Sequence, residues 1–140
     1  MNKTLILLCL IVVIISLSSC SGNVQNAEIH IGSSSIFSED EINAAVTAVL
    51  NKFKDFTGCT LLKLWYDESE SNNHVQSYMN YGRGSQNGVE QTNVIVLFSN
   101  FYAGSTACPS LNRNSTITNW SWILTRESAA CEWTVDDWGY

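Results

Sequence analysis

The residues best suited to chemistry in this 140-residue sequence are aromatic, acidic and sulfur-bearing. Trp120 and Trp122 are two apart, so a strand would place both on one face. Trp133 follows on the next predicted strand, and Tyr66 ends an earlier one. Such a surface can stack on a sugar or clasp an apolar ligand. The same four residues can instead fill a core between sheet and helix, with cross-strand aromatic pairs stabilising the sheet. Five tryptophans make aromatic packing decisive under either reading.

The carboxylates are less specific. Asp67, Glu68 and Glu70 offer oxygens to a hard cation but lack the spacing and turn glycine of a calcium loop. They read as a solvated turn, and no metal site is expected. Gly82, Gly84 and Gly88 have no preceding strand and no following Lys-Ser/Thr, so they do not make a phosphate loop. No cofactor is expected. Tyr66, Asp67 and Asp137 are the candidates for general acid–base work. Arg126, Asp136 and Asp137 read as an exposed ion pair, or as the mouth of a pocket. His30, between Ile29 and Ile31, reads as a solvated linker residue.

The N-terminus carries an address. Met1-Asn2-Lys3 precedes an apolar run over 5–17, too short for the roughly 20 residues that cross a bilayer. The run ends in Leu17-Ser18-Ser19-Cys20, which resembles the lipobox of bacterial lipoproteins. The resemblance implies cleavage after residue 19 and acylation of Cys20, for example by palmitate. It also implies a membrane-anchored, extracytoplasmic protein of the cell envelope. An ordinary secretory signal peptide with an incidental cysteine is the plainer alternative. Residue 21 is Ser, not the aspartate that marks inner-membrane retention in Gram-negative bacteria. Cleavage would also remove Lys3 and so deepen the net charge of −6 by one. An acidic domain with scattered bases excludes a nucleic-acid partner. Its net charge would be repelled by anionic membrane, which leaves membrane contact to the lipid anchor.

Cys9 departs with the signal, leaving Cys59, Cys108 and Cys131 in an oxidising compartment. One disulfide and one thiol is the simplest outcome. A meander puts Cys59 and Cys108 at one end of the sheet, while folding back of the long loop would pair Cys108 with Cys131. Both pairings stand.

These residues need elements to position them. Polar residues 20–35 read as a flexible tether. Ser38 and Glu41 form a capping box, with Phe37 and Ile42 as a hydrophobic staple. Ile42, Ala45, Val46, Val49, Leu50, Phe53 and Phe56 then recur at helical spacing, and Gly58 suits the end of a helix over 39–57. Strands are predicted over 60–66, 93–102, 116–126 and 131–138, with a weak helix over 71–81. Leu62, Leu64 and Tyr66 should share one face of the first of these strands. Val94-Ile95-Val96-Leu97-Phe98 is apolar on both faces, as in a central strand. The expected fold is α+β: a long N-terminal helix packed on a four-stranded, curved antiparallel sheet, a cystatin-like or NTF2-like roll.

Several segments also resemble uncharacterised secreted and lipoprotein domains of Firmicutes. They include Phe37-Ser38-Glu39-Asp40-Glu41-Ile42, Asn119-Trp120-Ser121-Trp122-Ile123-Leu124 and Trp133-Thr134-Val135-Asp136-Asp137-Trp138-Gly139-Tyr140. The resemblance spans 36–140 and implies a domain boundary, not an activity. The expected function is a non-enzymatic binding or interaction domain for a small ligand, glycan or envelope protein. The alternative is a small envelope enzyme using a carboxylate in the roll cavity.

Overall fold

The computed structural model describes residues 21–140. The signal at 1–19 and the lipidation candidate Cys20 lie outside them. Five strands form one mixed sheet in the order β1-β2-β3-β4-β5: Glu28–Ile31, Cys59–Tyr66, Val94–Ala103, Ser115–Thr125 and Thr134–Gly139. The last four make the expected antiparallel meander. β1 pairs parallel to β2, with Ile29 opposite Leu64 and Ile31 opposite Tyr66. The helices are α1 (Glu39–Phe53), α2 (Glu68–Tyr81) and the single turn α3 (Gly84–Asn87).

This corrects the expected fold. The sheet has five strands and is mixed, not four and antiparallel. β1, α1 and β2 make a crossover unit, which parallel neighbours require. The helices also flank both faces of the sheet: α1 covers one, and Val75 and Tyr78 of α2 pack on Val94, Val96 and Phe98 on the other. A roll cradling one long helix is therefore absent from the described residues. Residues 21–35, expected as a tether, are held by the sheet along much of their length. The Asn23 N–H donates to the Cys59 carbonyl (2.9 Å) and the Asn23 carbonyl accepts from Leu61 (2.8 Å).

α1 begins as its sequence demands. The Ser38 hydroxyl accepts from the Glu41 N–H, and the Glu41 carboxylate accepts from the Ser38 N–H (2.8 Å). Ile42, Ala45, Val46, Val49 and Phe53 form its buried stripe. The helix is only 15 residues long. It stops before Phe56 because a tight turn over 54–58 swings that ring onto Trp122, with centroids 5.1 Å apart. Gly58 closes the turn at φ +73, where a Cβ would stand 2.7 Å from the Ala107 nitrogen.

The central strand is apolar on both faces as expected. Val94, Val96 and Phe98 face α2, whereas Ile95, Leu97 and Phe101 face α1. β2 differs from its simple alternation. A bulge between Leu61 and Lys63 puts Leu61, Leu64 and Tyr66 in the α1 core and leaves Leu62 exposed. A second bulge in β4 sets Asn119 at φ 56, with its N–H donating to Asn100 Oδ1 (3.0 Å). That irregularity sets the register of Trp120 and Trp122, both turned toward α1.

Candidate functional site

The sheet has two ends, and each gathers aromatic residues. At the first end lie the start of α1, the end of β2 and the β4–β5 loop. Tyr66 is buried there, its hydroxyl 3.2 Å from Ser34 Oγ, and burial pushes its pKa up. Trp133 donates from Nε1 to the Glu41 carbonyl (3.0 Å) and meets Phe37 edge-on at 5.6 Å. The Arg126 guanidinium lies 4.2 Å from the Trp133 centroid and 2.7 Å from Glu41 Oε1. The Ser38 backbone and then Arg126 hold the Glu41 carboxyl below its ordinary range. Arg126, expected in an exposed ion pair or at a pocket mouth, is buried, pairs with Glu41 as a clasp between strand and helix, and borders an open trough.

The acid–base candidates are also occupied. Asp67 Oδ1 caps α2 by accepting from the Glu70 N–H (2.9 Å). Glu68 accepts from Ser34 and Ser35, which lower its pKa, and Glu70 accepts from Trp65 Nε1. Asp137 accepts from the Trp138 N–H. Asp136 accepts from the Tyr78 hydroxyl (2.8 Å); burial first, then that bond, pushes Tyr78 up to about 12. No group of three or more acidic, His or Cys side chains poised for a metal occurs among the described residues. An open, mainly polar trough of about 1050 Å³ lies between 87–93 and the β4–β5 loop, but nothing nucleophilic converges in it except the exposed Cys131.

The second end is different. It gathers the end of α1, the start of β2, the β3–β4 loop, the start of β4 and the end of β5. Trp122 is fully buried there and donates from Nε1 to Ser99 Oγ (2.8 Å). Next to it is a cleft of about 270 Å³. Phe56, Trp120 and Trp138 supply its aromatic walls, Leu111 an apolar one, and Lys52 and Ser110 polar contacts. The rings touch in sequence: Phe56 to Trp120 at 6.3 Å, Phe56 to Trp138 at 6.3 Å, and Trp120 to Tyr140 at 5.3 Å. Lys52 Nζ lies 4.8 Å from the Trp138 centroid and 3.0 Å from Asp55 Oδ2. Trp138 is 41% exposed and Tyr140 86%.

Trp120 carries the informative defect. Its Nε1 is the one buried side-chain polar atom without a hydrogen-bond partner among the described residues. An indole N–H left so costs on the order of 1–3 kcal/mol. Trp122 and Trp133, at comparable depth, are both satisfied. Of the four aromatic candidates, only Trp120 lines this cleft. Phe56 and Trp138 are not among those candidates: the sequence places Phe56 in the helical stripe and Trp138 only at the end of the last predicted strand.

All three described cysteines are free thiols here. Cys59 and Cys108 lie at the cleft end and Cys131 at the other, so the long-loop pairing of Cys108 with Cys131 would have to span the sheet. Burial, and then Cys108, raises the Cys59 thiol, while hydrogen bonds from Ser110 lower the exposed Cys108. Among the described residues no helix is long and apolar enough to cross a membrane. Comparison with protein-family models, curated proteins and solved structures finds no match.

Proposed function

We propose that this chain is a lipid-anchored lipoprotein of the cell envelope whose folded domain binds an amphiphilic ligand without catalysing a reaction. The anchor rests on Leu17-Ser18-Ser19-Cys20 following a short apolar run. The binding role rests on one observation: three aromatic rings from separate elements converge on a cleft beside a buried indole N–H that has no partner. A ligand with a planar or apolar face would stack on Phe56 and Trp138. Trp120 adds a ring to the same wall, and the Lys52–Asp55 pair offers polar contacts at its rim. The carboxylates that an enzyme would need are engaged in caps and hydrogen bonds, so catalysis has no observation in its favour.

Fatty-acid labelling tests the anchor. Label should enter the wild-type protein and not Cys20→Ala, which should leave the membrane fraction. Tryptophan emission titrated with phospholipid micelles and with soluble glycan fragments tests the cleft. A saturable spectral shift with either ligand, weakened in Trp138→Ala, supports binding. No shift with either ligand refutes it.

A further inference from the structure

We infer that the cleft end of the domain lies directly on the phospholipid surface of the bilayer, with Trp138, Tyr140 and Lys52 in the interfacial layer. This rests on the proposed acylation of Cys20 and names the partner of the same cleft.

The first observation is the length of chain available. Gly22 is fixed to the domain: its N–H donates to the Lys54 carbonyl (2.9 Å), at the end of α1. A Cβ on Gly22 would collide with the Phe53 carbonyl oxygen and stand 3.0 Å from that of Phe56, so the chain is seated tightly against the turn that carries Phe56 into the cleft. From Cys20 to Gly22 the backbone reaches at most about 7 Å. The acyl chains would therefore enter the bilayer beside this end of the sheet, and no tether remains to lift the domain away.

The second observation is what that end displays. Trp and Tyr concentrate at membrane–water interfaces, where an apolar ring with a polar edge fits the headgroup layer. Trp138 and Tyr140 are exposed side by side here, and Tyr102 is exposed nearby at the end of β3. Lysine stems can lie along such surfaces with the ammonium near phosphate.

The third observation is charge placement. Lys52, Lys54 and Arg113 are at this end, with Asp55 beside them. Glu39, Asp40, Glu41, Glu68, Glu127 and Glu132 lie at the other end. The 15 residues of α1 separate the two poles by about 22 Å, more than twice the ~8 Å Debye length at physiological salt. The acidic pole is thus screened from an anionic surface that the basic pole touches. The net charge, −6 before cleavage and one unit lower after it, does not oppose this contact, because its distribution decides.

The test uses the full-length acylated protein reconstituted into phosphatidylethanolamine–phosphatidylglycerol vesicles whose acyl chains are brominated near the headgroup. Bromine quenches indole on contact. Part of the tryptophan emission should be lost, and that part should be missing in Trp138→Phe. Ten Gly/Ser residues inserted between Ser21 and Gly22 should relieve the quenching while leaving every domain residue intact. Mass spectrometry of the same samples reports the acyl chains. Acylated wild-type protein without quenching overturns this inference and leaves the anchor standing; protein without acyl chains overturns both. Unquenched protein whose Lys52 cross-links to a second copy also overturns it, and assigns the face to self-association.

Discussion

At the Arg126 end of the sheet, buried aromatic residues are fully accounted for; at the Trp120 end they are not. Trp133 has a carbonyl acceptor, a cation on its face and Phe37 at its edge. Glu41 joins the helix cap to the Arg126 clasp through the same carboxylate. The buried polar groups named there all serve the fold. Trp120 has comparable burial, yet its Nε1 has no partner, and its neighbours Trp138 and Tyr140 reach solvent. The difference separates an end whose indole is tied into the fold from one whose indole is not, although both ends carry open clefts. Burial alone would not have distinguished Trp133 from Trp120; hydrogen-bond completion does.

Removing the clasp should give the largest effect. Arg126→Leu strands the partly buried Glu41 carboxylate and empties the space over Trp133, costing about 2–4 kcal/mol. Urea unfolding should show a lower midpoint with an unchanged slope. An equal loss from Lys52→Leu at the other end would break the contrast between the ends. The two indoles sharpen it further. Trp133→Phe removes the indole bond to the Glu41 carbonyl, which keeps its helical partner, and opens a small void, for about 1–3 kcal/mol. Trp120→Phe opens a similar void but removes an unsatisfied donor, so its cost should be smaller by about 1 kcal/mol or more. Side-by-side denaturation of the two variants reads that gap, and equal costs would mean that Trp120 Nε1 finds an acceptor in solution.

Much of the satisfied end was legible in the sequence because its determinants are local. Ser38, Glu41, Phe37 and Ile42 lie within one turn and specify the start of α1 by capping and stapling. The apolar run from Val94 to Phe98 likewise announces a strand covered on both sides. The rest depends on contacts remote in sequence. β1 is four residues long and mostly exposed, with Glu28 and His30 pointing to water, so nothing in its pattern distinguishes it from linker. The bulge at Leu62 reverses the face of Leu61, an effect that period-two alternation cannot show. Asp67 reads in the sequence as part of a solvated turn, yet it is the cap that starts α2. Trp120 could be named as a candidate from strand spacing. Its partners Phe56 and Trp138 could not, because their convergence requires both the turn over 54–58 and the β5 edge register.

The Glu41 carboxyl gives a smaller, pH-dependent form of the same comparison. Its folded-state pKa lies below the ordinary value of 4.5, so its stabilisation is present above that pH and is lost as pH falls through the folded value. Glu41→Gln should cost about 1–2 kcal/mol at pH 7 through the weakened cap and clasp. The gap to wild type should narrow steadily below pH 4.5. Urea midpoints of both proteins from pH 7 to about 3 would check this, and a gap that stays constant in acid would remove Glu41 from the clasp.

The thiols probe the two ends with no expected change in stability. Cys108 sits exposed on the cleft loop, its pKa lowered by hydrogen bonds from Ser110. Cys59 lies a short way behind it, buried, with its thiol pushed up by that burial. Because the thiolate is the nucleophile, iodoacetamide at pH 7.5 should alkylate Cys108 ahead of Cys59 by at least about tenfold in the reduced protein. Cys131, exposed at the far end beside Ser128, should also react before Cys59. Ser110→Ala should slow Cys108 by removing the bond that favours its thiolate, and leave Cys131 unchanged. Peptide mapping after timed quenching gives all three rates from one sample. Cys59 reacting as fast as Cys108 would mean that the cleft end opens readily in solution, and the contrast between the two ends would then be one of stability instead of hydrogen-bond completion.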